Sequence, residues 1–190
     1  MSLNRTFLFV LGSARANGNS ERLARHAATH LPDDVTQRWI DLKSVRLPEY
    51  EDRRRQENRA YTPTDPSEIE LLDATLAATD IALVSPLYWY TLSSSTKRYL
   101  DHWTGWFDVP GLRFKERMAG RTLWVVTALG ENDLHAADPL VDSVRRSADY
   151  MKMRFGGVLL GIGSRPGQVE HDARAMAGAR EFFHEACAGA

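Results

Sequence analysis

A chain of 190 residues with 43% hydrophobic content can bury one sizeable core, near the upper end of the usual single-domain length, so one domain is expected. Twenty-four Lys and Arg against twenty-five Asp and Glu leave a net charge of −1, which excludes an overall pull toward nucleic acid or acidic membranes and points to a small partner. With no leader-like opening, no apolar run near the ~20 residues of a membrane span, and Cys187 as the lone cysteine, a cytoplasmic protein is expected whose redox chemistry, if any, belongs to a cofactor.

In chain order, residues 7–11 form a short, nearly continuous apolar run closed by Gly12, as expected of a strand covered on both faces. A helix follows with Leu23, Ala27 and Leu31 on one side. Residues 38–42 make a weaker strand, with Trp39, Ile40 and Leu42 among polar neighbours, suited to a sheet edge. Residues 43–64 are charged and proline-punctuated, carry Arg53, Arg54 and Arg55 in a row, and exceed an ordinary connection. A solvated surface excursion, a lid over an active site and an arm to a second subunit all fit that stretch.

The second helix carries Ile69, Leu72 and Leu76. Its start, Asp65-Pro66-Ser67-Glu68, offers a capping Asp, a proline in the first turn, and Glu68 at the capping-box position. A strand at 81–84 precedes a helix with Tyr99, Leu100, Trp103 and Phe107. The next strand, 123–127, precedes a helix started by Asp138-Pro139 and faced by Val141, Val144, Ala148 and Met151. A last strand at 158–160 and a last helix with Met176, Ala179, Phe183 and Ala186 complete the series. Strand and helix alternating five times specify a doubly wound α/β sheet, and five strands fit the order 2-1-3-4-5. Ligands in that topology bind beyond the carboxyl ends of the strands.

After the first strand the chain reads Gly12-Ser13-Ala14-Arg15-Ala16-Asn17-Gly18-Asn19-Ser20. Small and hydroxyl residues entering a helix leave backbone N–H groups free at the positive end of its dipole, which is an anion site. Ser13, Asn17, Asn19 and Ser20 add donors, and Arg15 adds a fork suited to phosphate oxygens. No lysine precedes the serine as in a Walker loop, and Gly12 and Gly18 alone do not make a Gly-x-Gly-x-x-Gly fingerprint. Such a loop can merely cap a helix, but its place after the first strand favours a phosphate monoester.

The third strand ends in Ser85-Pro86-Leu87-Tyr88-Trp89-Tyr90-Thr91-Leu92, followed by a serine run and a helix bearing Lys97 and Asp101. Aromatics at a strand end are often core. Beside a phosphate loop they make the flat apolar end of a site whose other end is anionic. The pairing of Gly-Ser-x-Arg-x-Asn-Gly-Asn-Ser with Ser-Pro-x-Tyr-Trp and a Lys-x-x-x-Asp helix resembles the NAD(P)H-dependent FMN reductase and quinone reductase group of flavodoxin-like proteins.

That resemblance implies an α/β, flavodoxin-like three-layer sandwich on a five-stranded parallel sheet, holding FMN. Ser13, Arg15, Asn17, Gly18, Asn19 and Ser20 would hold the phosphate, and Pro86, Leu87, Tyr88 and Trp89 would line the isoalloxazine, largely through backbone groups. Thr127 and Gly130 would approach from the far side, with Glu131 a looser match. The flavin would take hydride at N5 from NADPH or NADH and then reduce a quinone, flavin, azo compound or similar small acceptor. A homodimer or homotetramer is also implied. A flavodoxin-type electron carrier is a second reading, although such carriers are usually strongly acidic; a non-redox nucleotide-binding protein is a third.

No metal is expected, because His26 and His30, although spaced i, i+4, lack the glutamate of a zinc motif. His135 follows the third loop and is read as an idle loop residue ahead of one that orients substrate. Lys97 and Asp101 are expected to pair structurally, and Trp103, Trp106 and Phe107 to serve as core or subunit interface.

Overall fold

Five parallel strands lie in the order β2-β1-β3-β4-β5 in the computed structural model, which describes residues 5–52 and 60–184. They are β1 (Thr6–Leu11), β2 (Thr36–Asp41), β3 (Asp80–Val84), β4 (Thr122–Leu129) and β5 (Arg154–Ile162). The helices are α1 (Asn19–Ala28), α2 (Leu42–Val45), α3 (Pro66–Ala77), α4 (Ser94–Trp106), α5 (Phe114–Met118), α6 (Asp138–Tyr150) and α7 (Ala173–Ala179). The predicted topology and strand order are those observed. Cys187, Ala186 and the Arg53 to Arg55 run lie outside the described residues.

Because strand side chains alternate between faces, the continuous apolar runs divide into two cores. Leu8, Val10, Ile81, Leu83, Leu123 and Val125 face α3, α4 and α6, where Leu71, Tyr99, Trp103 and Val144 cover them. Phe7, Phe9, Ala82, Val84, Trp124 and Val126 face α1 and α7, where Leu23, Ala27, Ala175 and Ala179 cover them. Each fully buried Leu or Phe of this kind contributes ~1.5–3 kcal/mol, so the two cores anchor the strand ends that carry the loops.

Several sequence expectations shift. β4 runs two residues past Thr127, because Ala128 and Leu129 still pair with Gly161 and Ile162 of β5. β2 stops at Asp41, whose side chain accepts from Lys43 N at 2.9 Å and turns Leu42 into α2. The buried stripe of α3 is Glu68, Leu71, Leu72, Ala74 and Thr75, while Ile69 is 40% exposed. Asp65 caps α3 as predicted, accepting from Ser67 N and Glu68 N. Glu68 is not a capping-box residue, since its carboxylate is engaged with α4. Nor does Asp138 cap α6: the cap residue is Ala137, and the Asp138 carboxylate sits 3.1 Å from His135 Nδ1.

Candidate functional site

β1 leaves the sheet against the start of α4. Gly12 N donates to Val84 O at 2.8 Å and Ser95 Oγ donates to Gly12 O at 2.9 Å. A Cβ on Gly12 would lie 1.8 Å from Thr96 Oγ1, so this close approach requires glycine. Further along, Arg15 N donates to Ser13 Oγ, and Asn17 turns the chain at φ 54°, a left-handed conformation that asparagine tolerates. Asn17 N donates to Glu21 Oε2 at 2.8 Å while Asn17 O accepts from Arg22 Nε at 2.9 Å. The turn so fixed delivers Gly18 as the extended cap residue of α1, with no side-chain cap, leaving the first-turn amides toward the cleft. The Arg15 side chain is exposed and has no protein partner among the described residues.

Asn19 and Ser20 line the cleft, but their polar groups join strand ends together. Asn19 Nδ2 donates to Gly163 O at 2.7 Å and to Arg165 O at 2.9 Å. A Cβ on Gly163 would stand 2.7 Å from that nitrogen, so glycine there lets the loop after β5 reach α1. Ser20 is buried, and its Oγ accepts from Ala128 N at 3.0 Å.

These contacts close a cleft of ≈ 240 Å³ at the carboxyl ends of four strands. One end is formed by Ser13, Arg15, Asn17, Gly18, Asn19 and Ser20, the opposite wall by Pro86, Leu87 and Tyr88, and the far side by Ala128 and Gly130. Ten of the twelve predicted residues therefore meet here. Thr127 does not: it is fully buried within β4, and because that strand runs on, Ala128 takes its place at the cleft. Trp89 does not either, being 93% exposed and lining a shallow neighbouring depression with Tyr90 and Glu131. Sequence reasoning missed the loop after β5, where Gly163, Ser164 and Pro166 complete the wall. The Gly-x-Gly-Ser run at Gly161 to Ser164 is the signal that could have found it.

Trp89 and Tyr90 sit at φ 49° and 63°, in a two-residue reversal where Tyr88 and Thr91 pair through both N–H···O bonds at 3.0 Å. Such turns favour Asn-Gly, so two aromatics there carry backbone strain, a pattern that concentrates at functional sites. Among the described side chains lining this first cleft, only Arg15 and Tyr88 are ionisable. No histidine or carboxylate among the described residues lines this cleft.

Between α3 and α4, Glu68 Oε1 accepts from Tyr61 OH at 2.8 Å and Trp106 Nε1 at 2.8 Å, and lies 3.0 Å from His102 Nδ1. His102 Nε2 lies 2.9 Å from Pro48 O. Glu68 and the Pro48 carbonyl each face one ring nitrogen, an arrangement that favours the protonated ring. Burial pushes the Glu68 carboxyl up, but the bonds from His102, Tyr61 and Trp106 together hold it below its ordinary value of 4.5. Burial pushes His102 down, but Glu68, the Pro48 carbonyl and Asp101 raise it above 6.5. This buried pair ties the segment after β2 to α3 and α4, so the described part of that excursion is anchored, not merely solvated. His135 stays exposed beside Asp138, Lys97 pairs with Asp101, and Trp103 and Trp106 are buried in the core.

A family model described as flavodoxin-like fold matches residues 5–185. The chain belongs to this family. Among relatives of this flavodoxin-like chain is YwqN of Bacillus subtilis, named an NAD(P)H-dependent FMN-containing oxidoreductase, 25% identical over 92% of this chain and 94% of its own length. A solved structure of the Trp repressor binding protein from Bacillus subtilis superposes with a TM-score of 0.74 at 22% identity, covering 93% of this chain and 97% of that one. An FMN-dependent NADH-azoreductase from Bacillus anthracis, solved with FMN, gives 0.66 at 15% identity over 96% and 99%. The structural likenesses establish the shared fold. Among the described residues no helix of this flavodoxin-like chain is long and apolar enough to cross a membrane.

Proposed function

We propose that the chain is an FMN-dependent NAD(P)H oxidoreductase. The observation that carries this is one cleft joining the loop at the start of α1, with Arg15, to a wall of Pro86, Leu87 and Tyr88, with no carboxylate or histidine among the described residues of its lining. The names of its relatives agree, since YwqN and the azoreductase are both described with FMN and a nicotinamide cofactor.

The residues present fit FMN. The Arg15 guanidinium, without a partner among the described residues, and the first-turn amides of α1 suit a phosphate dianion. Ser13 and Asn17 flank that position. Pro86, Leu87 and Tyr88 form the wall for the ring system, and Ala128 with Gly130 bounds it from the other side. FMN held there would supply two-electron redox chemistry between a nicotinamide and an acceptor. The protein would hold and orient the group and cover one face of its ring. Trp89 and Tyr90, exposed at the rim, are available to stack on an incoming planar acceptor such as a quinone or azo compound.

The test is anaerobic mixing of the FMN-loaded protein with NADPH or NADH, followed by a quinone. The reading expects loss of the flavin absorbance with the nicotinamide, its return with the quinone, and steady turnover when both are present. Bound flavin that neither nicotinamide reduces would favour the electron-carrier reading instead.

A further inference from the structure

A second cleft, of ≈ 560 Å³, opens beside the first and shares Ser13 and Tyr88 with it. Its outer wall is the chain after β2, including Lys43 and Arg46, and its inner wall is the start of α4 with Ser94 and Arg98. Nothing in the reaction proposed above uses this wall.

Its charge is unlike that of the whole chain. Lys43, Arg46 and Arg98 line it against a single carboxylate, Glu49, in a protein whose net charge is −1. Arg98 is held in place, since Nη1 donates to Leu47 O at 3.2 Å and Nη2 pairs with Glu49. Its buried Nε has no acceptor among the described residues. Lys43 and Arg46 are exposed, and neither side chain has a partner among the described residues. Arg46 also sits at φ 43°, a left-handed conformation costly for arginine, at the end of α2. Two cations without a partner among the described residues, beside a fixed guanidinium in one cavity, suit a phosphate monoester on a larger polar ligand.

We propose that this cleft binds the 2′-phosphorylated adenosine end of NADPH, with the dinucleotide crossing Tyr88 so that its nicotinamide reaches the first cleft. The assignment rests on the redox reading above and deepens it, making NADPH the preferred reductant. NADH presents a hydroxyl where NADPH presents a dianion, and leaves the cations unpaired. Tyr88, common to both clefts, is where the extended ligand would pass from one to the other.

The experiment pairs direct binding with kinetics. Calorimetric titration of the FMN-loaded protein with adenosine 2′,5′-bisphosphate and with 5′-AMP should show the bisphosphate binding at least about tenfold tighter, the worth of one charge-assisted hydrogen bond. Arg46→Gln and Lys43→Gln should each weaken the bisphosphate about tenfold, and each should lower the NADPH preference by a similar factor through KM with little change in kcat. Circular dichroism melts check that both variants fold. Equal affinity for the two nucleotides, or bisphosphate binding unmoved in both variants, overturns the assignment even if bound FMN is reduced normally. Variant-sensitive bisphosphate binding in a protein whose flavin neither nicotinamide reduces would support the cleft and sink the redox reading.

Discussion

Replacing Glu68 with leucine tests whether the buried ion pair between α3 and α4 fastens the segment after β2. The side chains of His102 and Glu68 are 1% and 4% exposed, and Glu68→Leu would remove the acceptor of the buried His102 and Trp106 nitrogens and the Tyr61 bond. Removing one member of a buried pair costs ~3–5 kcal/mol. In a chain of this length each kcal/mol moves Tm by ~2–4 °C, so the drop should be roughly 6–20 °C at pH 6. The pH dependence carries a second signature. His102 is raised in the folded protein, so its contribution is complete below 6.5 and is lost as pH rises through the folded value. Glu68 is lowered, so its contribution is complete above 4.5 and is lost as pH falls through its own folded value. Wild-type stability from this pair should therefore be greatest between those limits and decline on both sides, and Glu68→Leu should flatten the alkaline decline. Urea melts from pH 4 to 9 measure both. A loss under ~1 kcal/mol at pH 6, or an alkaline decline as steep in the variant as in the wild type, would refute the pairing.

Other perturbations separate the roles of the loops. Arg15→Ala should weaken FMN roughly 10- to 100-fold, the worth of a hydrogen bond to a charged group, with Tm of the FMN-free protein unchanged; titration and a melt report the two independently. Trp89→Ala, at a side chain 93% exposed, should shift stability by no more than ~0.5 kcal/mol while altering KM for a bulky aromatic acceptor; a large Tm loss with normal kinetics would make Trp89 a packing residue. Gly12→Ala forces a Cβ to 1.8 Å from Thr96 Oγ1, so the variant should express poorly or unfold early, and a wild-type melt would mean the β1–α4 approach is looser than described.

The sheet was legible because its signals are physical and redundant. Residues 7–11 and 81–84 are apolar throughout since both faces are covered, and the alternation with helical periods fixes the class. That the loop after β1 lines one end of the cleft was legible too, because Ser13, Arg15 and Asn17 form a contiguous local turn. What the sequence hid depends on contacts between distant segments. That β4 continues to Leu129 follows from pairing with β5, and that Asn19 joins the loop after β5 depends on a residue 144 positions away. Glu68 reads locally as a capping-box residue, and only the arrival of α4 turns it into a buried carboxylate. Trp89 reads as part of an apolar wall, whereas two successive positive φ angles in an Asn-Gly-like turn swing it outward.

The central claim is that one cleft grips a phosphate and beds a flat heterocycle together. Equilibrium titration of the flavin-free protein with FMN and with riboflavin, read by quenching of flavin fluorescence, tests it most directly. One-to-one binding of FMN, with riboflavin weaker by roughly tenfold or more for want of the phosphate, is the predicted result. Equal affinities, or no uptake of FMN at all, would contradict the account.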